Sequence, residues 1–315
     1  MTAIWVIGGS GLLGSALQRV LLRQSKNLFT PAQRFNWGDE SELNSQLAAA
    51  VKAFSTFVDN GNDWQIYWAA GIGNFASSKD DLVTETRTLS TLLKLIESES
   101  GLVSSVGCFA FSSSAGAIYA GAKDDIISEN TAVSPTTEYA KEKIKQENLL
   151  TNFGQRNGKV TVLLARISTL YGPGQADGKR QGLLAHIARC ILRNKSVNIF
   201  VPLDTIRDYI TADDAASMMV ASLTILHGKF GVFTKIIASE KATTIAEIVS
   251  VFNRIARRRP RIVASASKLS SLYSRRIQFR SVTVAIDEQV SRTSLLVGVA
   301  QVLAAERSSF TRSHR

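Results

Sequence analysis

Three glycines near the N-terminus have the spacing of a turn that binds a pyrophosphate. Gly8, Gly11 and Gly14 lie in the segment GGSGLLG, after the apolar run Ala3–Ile7 and before Leu12–Leu22, whose apolar residues have helical spacing. Glycine there permits a tight turn and close approach of the backbone to a pyrophosphate, whose charge the helix N-terminus stabilises. A plain glycine-rich turn is the alternative, but the flanking patterns argue against it. The segment predicts dinucleotide binding.

The residues that follow bear on which dinucleotide is bound. Sites that prefer NAD usually carry an acidic residue about 20 positions further on, where it bonds the ribose 2′-hydroxyl. Residues 28–34 read LFTPAQR, with no acid and with Arg34 at the end. An arginine there can accept a 2′-phosphate, although a surface arginine after a strand would look the same. The expected cofactor is NAD or NADP, and Arg34 favours NADP.

A tyrosine, a lysine and a serine have the spacing of a proton-transfer site. Tyr139 and Lys143 are four residues apart, so on a helix they share a face. The ammonium of Lys143 would then lower the pKa of the phenol from about 10. Ser114 ends a run of three serines that closes the strand Cys108–Phe111. These groups together can bind a carbinol oxygen and move its proton, whereas the Tyr–Lys spacing alone usually means two exposed helical residues.

The elements that must position these residues alternate along the first half of the chain. Short apolar runs predict strands at Ala3–Ile7, Gln65–Ala70, Cys108–Phe111 and Val160–Ala165. Amphipathic stretches predict helices at Ser41–Phe54, Val83–Ile96 and Glu138–Leu150. This alternation is typical of an α/β fold with a Rossmann-type doubly wound parallel sheet. After Arg166 the pattern is less regular, with helices predicted at Leu183–Arg193 and Thr244–Ile255 and a frayed polar end at Glu306–Arg315.

Composition narrows the class of protein. The chain has 315 residues, of which 45% are hydrophobic and 20% charged, enough for a substantial core. Its two cysteines, Cys108 and Cys190, and its three histidines give neither a disulfide framework nor metal-ligand spacing. No run approaches the roughly 18 apolar residues of a spanning helix. A cytoplasmic protein without a metal or a membrane partner is expected.

The net charge of +11 is concentrated at one end of the chain. Residues 1–247 hold 24 basic and 23 acidic side chains, whereas residues 248–315 hold 13 basic and 3 acidic ones. The total invites a nucleic-acid interpretation, and the run at 257–261 is its strongest element. No aromatic residues are interleaved with that run, and a charge run is usually a solvated face. Nucleic-acid binding is therefore a minor alternative.

Six segments together resemble the extended short-chain dehydrogenases/reductases, the NAD-dependent epimerase/dehydratase family. Most members of that family act on nucleotide sugars. The matching segments keep the family's order over about residues 3–216. They are residues 6–14, Ala69-Ala70-Gly71, Phe111–Tyr119, Tyr139–Lys143, Arg166 through Tyr171–Gly174, and Arg207–Ile210 with Asp214.

The resemblance implies a role for each matching residue. It makes Ser114 the catalytic serine, Tyr139 the acid/base, and Lys143 the residue that binds the nicotinamide ribose and tunes Tyr139. Cofactor contacts are implied for Gly8, Ser10, Gly11, Leu12, Leu13, Gly14, Arg34, Ala69, Ala70, Gly71, Tyr139 and Lys143. Substrate contacts are implied for Ser114, Thr169, Arg207 and Arg280. Arg207 would reach the substrate diphosphate or pair with Asp208 or Asp214.

The sequence departs from the family pattern at two places. Thr169 stands where the family often has an asparagine that holds the substrate pyrophosphate, which argues against a UDP-sugar 4-epimerase. The segment from Ser114 to Tyr119 is one residue longer than usual, so the catalytic serine could shift by one position. Ser114-Ala115-Gly116 also supplies no acid to expel a 6-hydroxyl. Dehydratase chemistry is not expected.

The resemblance predicts an NAD(P)-dependent oxidoreductase or epimerase acting on a nucleotide sugar, with hydride transfer at a ring carbon and C4 favoured. The alternatives are an NADPH-dependent 4-ketoreductase of a nucleotide deoxysugar and a non-catalytic NAD(P)-binding sensor. A Rossmann domain is expected at residues 1–167, to which 205–237 return. Residues 168–204 and 238–315 would form a smaller α/β substrate domain, in which Arg280 binds the anionic substrate. A homodimer through the helices at Val83–Ile96 and Glu138–Leu150 is the implied assembly.

Overall fold

The computed structural model describes residues 2–58, 62–71, 77–175, 182–257, 260–264, 276–285 and 292–313. Its centre is a parallel sheet with the strand order β2-β1-β3-β4-β5-β9. The strands are β1 (Ala3–Ile7), β2 (Asn27–Phe29), β3 (Trp64–Trp68), β4 (Gly107–Ser114), β5 (Val160–Ile167) and β9 (Gly231–Ile237). All five residues of β1 are buried, as expected for a strand covered on both faces.

The order of the strands creates a crevice at one edge of the sheet. β1 pairs with β2 on one side and with β3 on the other, both in parallel. The chain therefore reverses its direction of travel across the sheet at β1, and a crevice opens beyond the carboxyl ends of β1 and β3. The glycine turn predicted from the sequence follows β1 directly, so it lies at this crevice.

Helices cover both faces of the sheet. They are α1 (Leu12–Arg23), α2 (Glu40–Val58), α3 (Lys79–Ser98), α4 (Ser100–Ser104), α5 (Ala115–Ile118), α6 (Glu138–Arg156), α7 (Leu183–Leu192), α8 (Ala212–Leu226), α9 (Ile245–Ala256) and α10 (Leu295–Ser313). One core packs α2, α3 and α6 against the sheet, and a second core packs α1 and α8 against its other face. No helix in the described ranges has the length and hydropathy that a membrane crossing needs.

Local capping explains why α3 is longer than predicted. The apolar pattern begins at Val83, but the helix begins at Lys79 because the Ser78 hydroxyl accepts a hydrogen bond from the amide of Asp81. Asp80 and Asp81 also lie in the first turn, where negative charge is favourable. The buried face of α3, which includes Glu85, packs alongside α6.

The rest of the chain forms a smaller α/β unit. A three-stranded sheet has the order β10-β8-β6, from Ala242–Thr244, Ile206–Thr211 and Thr169–Tyr171, and a two-stranded sheet pairs β11 (Ile262–Ala264) with β7 (Val197–Ile199). Helices α7, α9 and α10 share its apolar core. The predicted fold class, a doubly wound parallel sheet with a smaller α/β part, is confirmed. The domain boundaries stay a prediction.

The expectation of a frayed C-terminal end is wrong for residues 306–313, which belong to α10. Val299, Val302 and Leu303 anchor this helix in the core of the smaller unit. Glu306 also pairs with Arg189 of α7, both side chains being largely buried. The polar composition of residues 306–313 did not predict their helical structure, because the apolar residues that anchor the helix lie in its earlier turns.

Candidate active site

The glycine turn after β1 forms an open cradle for a phosphate group. Gly8 has a φ of +85°, and a Cβ on it would lie 2.5 Å from the backbone nitrogen of Ala70. Gly14 packs so closely that a Cβ would overlap the carbonyl oxygen of Gly8. Gly11 is the N-cap residue of α1, and it has no side chain that could accept a hydrogen bond from the first amides of the helix. A pyrophosphate fits these donors, as the sequence predicts.

The residues around this turn differ in what they can offer a cofactor. Ser10 and Gly11 are exposed at the crevice, and Leu12 is half-buried. Leu13 is 7% exposed and packs into the core between α1 and α8. Any contact between Leu13 and a cofactor therefore uses its backbone amide rather than its side chain.

The end of β3 forms the opposite wall of the crevice. The Ala69 amide donates to the carbonyl oxygen of Ile7 at 2.9 Å, which ties the two strand ends together. Ala70 is buried. A Cβ on Gly71 would lie 3.0 Å from the Oε1 atom of Glu85, so the backbone of Gly71 runs directly against that carboxylate. The loop predicted to line the cofactor cleft is therefore in contact with α3.

Arg34 lies on the loop after β2, on the side of the sheet beyond β1. Its side chain is exposed, and it makes no hydrogen bond or ion pair with another described residue. Trp37, farther along the same loop, is 43% exposed and contacts the ring of Trp68 edge-on. Since Trp68 directly precedes Ala69, this loop and the end of β3 adjoin each other. Arg34 is available to an anionic group.

The three serines at the end of β4 have different surroundings. The Ser112 hydroxyl donates to the carbonyl oxygen of Trp68 at 2.8 Å. The Ser113 hydroxyl donates to Glu147 at 2.7 Å and is buried. Ser114 is half-buried, and its side chain lowers the pKa of the Tyr139 phenol. Ser112 and Ser113 are bonded to other groups, and the role of Ser114 as the catalytic serine stays a prediction.

Tyr139 lies in the first turn of α6. The hydroxyl of Thr137 caps this helix by accepting from the amide of Ala140, which fixes the start of the turn. Burial raises the pKa of Tyr139, Lys143 and the Ser114 hydrogen bond lower it, and Glu85 raises it again. The net effect is a pKa above its ordinary value. The expectation that Lys143 would lower this pKa below its ordinary value is therefore wrong, because burial and a nearby carboxylate outweigh the ammonium.

Lys143 is buried beneath Tyr139. Its Nζ atom donates to Glu85 Oε1 at 2.9 Å and to Gln146 Oε1 at 3.0 Å, and it lies 5.8 Å from the centroid of the Tyr139 ring. Burial lowers the pKa of Lys143, but the attraction of Glu85 more than compensates, so the pKa is raised. The lysine is therefore held as an ammonium beside the tyrosine.

Sequence reasoning missed Glu85, although the sequence contains a signal for it. Glu85 lies three residues after Leu82 and four before Leu89, both of which are buried on the inner face of α3. An acidic residue on an apolar helical stripe needs a partner. That partner, Lys143, is 58 residues away in sequence, and only the packing of α3 on α6 brings the two together.

A second buried ion pair fixes α6 to the sheet. Arg166 of β5 contacts both carboxylate oxygens of Glu147, with its Nη2 atom 2.6 Å from Oε2. Its guanidinium also donates to the hydroxyl of Tyr119. Since Glu147 also accepts from Ser113, this network joins α6 to β4, β5 and the segment after α5. It holds Tyr139 and Ser114 on a common frame.

The predicted substrate residues lie on the smaller unit. Thr169 is exposed in β6, opposite Tyr209 of β8. Arg207 is half-buried in β8. The carboxylate of Asp208 accepts from Ser168, Ser239 and the Lys241 amide, and that of Asp214 accepts from Thr293. Both of the acids considered as ion-pair partners of Arg207 are thus bonded to hydroxyl and amide groups.

Arg280 is exposed on a segment that crosses back toward Ser114. Its amide donates to the carbonyl oxygen of Ile127 at 2.9 Å. The ring of the preceding Phe279 contacts that of Tyr119, and Phe279 shares an apolar cluster with Ala115 of α5, the helix that follows Ser114 directly. At the other end of this segment, the Ile277 amide donates to Ile206, next to Arg207. One segment therefore connects the surroundings of Ser114 and of Arg207.

A half-buried glutamate and a buried lysine anchor this segment. Glu129 accepts hydrogen bonds from the Ser281 hydroxyl and from the amides of Val282 and Ile236. The Nζ atom of Lys235 donates to Ser281 and to the carbonyl oxygens of Thr283 and Val284. The backbone that carries Arg280 is therefore fixed to the sheet at β9.

The chain matches a family model over most of its length. The model described as the NAD dependent epimerase/dehydratase family covers residues 4–230. The uncharacterized UDP-glucose epimerase YtcB of Bacillus subtilis is 26% identical over 257 residues, 81% of this chain and 75% of the relative. The dTDP-4-dehydro-6-deoxyglucose reductase of Escherichia coli is 32% identical over 114 residues, 36% of this chain and 35% of that protein. Another curated relative is matched over 33% of its own length.

A solved structure has the same fold. MoeE5, in complex with UDP-glucuronic acid and NAD, superposes with a TM-score of 0.77 at 20% sequence identity. The superposition covers 98% of this chain and 100% of that chain. The likeness therefore extends over the large sheet and the smaller unit together.

Proposed function

Because the chain belongs to the NAD-dependent epimerase/dehydratase family, we propose that it transfers hydride at a ring carbon of a nucleotide sugar, with C4 as the favoured position. One observation carries the proposal. Ser114, Tyr139 and Lys143 converge at the carboxyl end of the sheet, at the edge where the glycine turn opens. Three such groups at that place can bind a sugar hydroxyl and move its proton.

Each of the three side chains has a distinct task in this reaction. The hydroxyl of Ser114 and the phenol of Tyr139 both hold the sugar oxygen, which fixes the carbon that reacts. Tyr139 gives a proton to that oxygen during reduction and takes one during oxidation. Lys143 stabilises the phenolate and holds a ribose hydroxyl of the cofactor. The nicotinamide ring, when bound, supplies or accepts the hydride.

The cofactor's pyrophosphate is assigned to the backbone of the glycine turn, from Gly8 to Gly14, and to the first turn of α1. Ser10 and Gly11 are exposed there, and Ala69, Ala70 and Gly71 form the facing wall. Arg34 receives the 2′-phosphate of NADP. Its exposure and its lack of a described partner support that choice over NAD.

The nucleotide-sugar diphosphate is assigned to Arg207 and Arg280. Arg280 lies on the anchored segment, and Arg207 follows Ile206, whose carbonyl oxygen accepts from Ile277 of that segment. Thr169 lies on the strand beside Arg207. Two guanidinium groups can bind a diphosphate bidentately. The sugar is assigned to the side of Ser114, because Phe279, next to Arg280, shares an apolar cluster with α5, which follows Ser114.

A 4-ketoreductase is the second candidate, and two observations favour it over an epimerase. Arg34 suits NADPH, which a reductase consumes. The raised pKa of Tyr139 also keeps its proton in place for donation to a ketone. An epimerase must both remove and return hydride on one sugar, with rotation of the keto sugar between the two steps, and the family includes such enzymes.

A screen of UDP- and dTDP-sugars tests the proposal. Each sugar and its 4-keto form is incubated with NAD⁺, NADP⁺, NADH or NADPH, and the stereochemistry of the product is read by NMR. Net consumption of NADPH with a 4-keto sugar indicates the reductase, and inversion without net consumption indicates the epimerase. The Tyr139→Phe variant should lose turnover by at least about a thousandfold while it retains cofactor affinity. Substantial turnover by that variant would exclude Tyr139 as the acid/base.

A further inference from the structure

Glu85 is a buried carboxylate that the proposed reaction does not itself require. Its side chain is 7% exposed, and Oε1 accepts from Lys143 at 2.9 Å. The backbone of Gly71, in the wall of the crevice, lies against the same carboxylate. The Gln146 side chain bridges the pair, because it accepts from Lys143 and its amide nitrogen donates to Thr86, next to Glu85.

The stability of the fold does not explain why this pair is buried. Two charges lose their hydration in the interior, and apolar residues of similar volume often stabilise a fold equally well. The pair lies directly beneath Tyr139, however, with the ammonium 5.8 Å from the ring centroid. A fixed negative charge at this position restrains Lys143 and counters its effect on the phenol.

We propose that Glu85 is a positioning residue: it holds Lys143 in its charged form beside Tyr139 and keeps the proton on the Tyr139–Lys143 pair. This inference rests on the proposed function, in which Tyr139 is the acid/base. Through Glu85, helix α3 would influence the direction of the reaction. A Tyr139–Lys143 pair that retains its proton favours donation of that proton to a ketone oxygen.

The other charged groups near this pair do not substitute for Glu85. Glu147 of α6 acts on Lys143 more weakly and is itself held by Arg166 of β5. Ser114 of β4 lowers the pKa of Tyr139 through its hydrogen bond, whereas Glu85 raises the pKa of both Tyr139 and Lys143. The effect of Glu85 on both members of the pair agrees with the geometry.

The pH profile of kcat/KM for ketone reduction tests the proposal. In Glu85→Gln the alkaline limb should move to lower pH by about one unit or more, because the retained proton has lost a neighbouring negative charge. Glu85→Asp keeps the charge and should keep the limb near its wild-type position. Glu142→Gln is the matched control: Glu142 is buried on α6, the helix of Lys143, but it bonds Thr86 and Lys145, so its profile should not move. A folded Glu85→Gln variant with the wild-type profile would overturn the proposal.

A measurement on the wild-type protein covers the case in which Glu85→Gln does not fold. The protein is labelled with 13C-lysine, and its NMR spectrum is recorded as the pH is raised. The Cε resonance of Lys143 is identified as the one missing from the spectrum of the Lys143→Arg variant. It should titrate above the ordinary lysine pKa of about 10.4. A resonance that titrates at or below that ordinary value would overturn the proposal. This readout needs no turnover, so it is independent of the proposed function, which the Tyr139→Phe result tests separately.

Discussion

Burial and the charge of Glu85 outweigh Lys143 and Ser114, so the pKa of Tyr139 lies above its ordinary value. A protonated phenol can give its proton directly to a ketone oxygen, whereas oxidation of a hydroxyl requires that the phenol first ionise. The reductive direction should therefore persist at neutral pH and fall as the pH rises through the pKa of the pair. The oxidative direction should instead increase over the same range.

Arg34 allows a sharp test of cofactor choice at the residue scale. Arg34→Ala should weaken NADPH binding by about tenfold or more, because a charge-assisted contact to the 2′-phosphate is lost. NADH binding should change by less than about twofold, since NADH has no such phosphate. Titration calorimetry measures both, and Arg254→Ala, an exposed arginine on α9, is the control for net charge. Tighter binding of NAD than of NADP by the wild-type protein would contradict the preference.

Arg280 carries the corresponding prediction for the substrate. Arg280→Ala should raise the KM for the nucleotide sugar by about tenfold with a smaller effect on kcat, because the diphosphate loses one guanidinium partner. Arg261→Ala removes another exposed arginine, which directly precedes the strand β11, and should leave the KM within about twofold. Steady-state kinetics on the two variants decide the matter. An unchanged KM in Arg280→Ala would remove this residue from the substrate site.

Helix α6 positions Tyr139 and Lys143, and buried ion pairs fix this helix on two sides. Lys143 joins it to α3 through Glu85, and Glu147 joins it to β5 through Arg166. These contacts orient one helix against both a neighbouring helix and the sheet. The position of Tyr139 relative to Ser114 therefore depends on residues one to three turns further along α6.

The Glu147–Arg166 pair should contribute strongly to stability. Glu147→Gln leaves a buried guanidinium without its counter-charge, so we expect the free energy of unfolding to fall by about 3–5 kcal/mol. Urea unfolding followed by circular dichroism measures this change. The control is Glu97→Gln, whose partner Arg156 is 59% exposed on the same helix, and there the loss should stay below about 1 kcal/mol. Equal losses of unfolding free energy in the two variants would show that burial does not determine how much an ion pair contributes to stability.

Local signals were sufficient to predict the fold class, four of the six strands of the large sheet (β1, β3, β4 and β5) and the glycine turn that follows β1. β1 is an unbroken apolar run, as expected of a strand buried on both faces, and Gly8 and Gly11 follow it as expected of a tight turn. Both signals lie within a few residues of each other in the sequence. Tyr139 and Lys143 were predicted for the same reason, since they are four apart on one helix. Their pKa directions could not be predicted, because Glu85 belongs to another element and the burial of α6 depends on the whole fold.

The basic residues of the last 68 positions give the whole molecule an uneven charge. Those that the structure describes lie at the surface of the smaller unit, among them Arg254, Arg257, Arg261 and Arg276, all exposed. At the helices expected to form a homodimer, the outward face of α6 is polar, with Lys141, Lys145, Asn148 and Asn152 exposed. A contact through that face would lack the apolar centre of an obligate dimer. The homodimer stays a prediction.

The uneven charge should act on a small anion rather than on nucleic acid. An excess of positive charge around a substrate site raises the local concentration of an anionic nucleotide sugar, and salt screens that effect. The KM should therefore rise between 50 and 200 mM salt, whereas filter binding should find no duplex DNA affinity tighter than about 1 μM at 150 mM salt. Arg257→Ala combined with Arg261→Ala should reduce the salt dependence of the KM and leave kcat unchanged, since both side chains are exposed and away from Ser114 and Tyr139 in the fold. DNA binding in the nanomolar range with a steep salt dependence would instead make nucleic acid the partner of this surface.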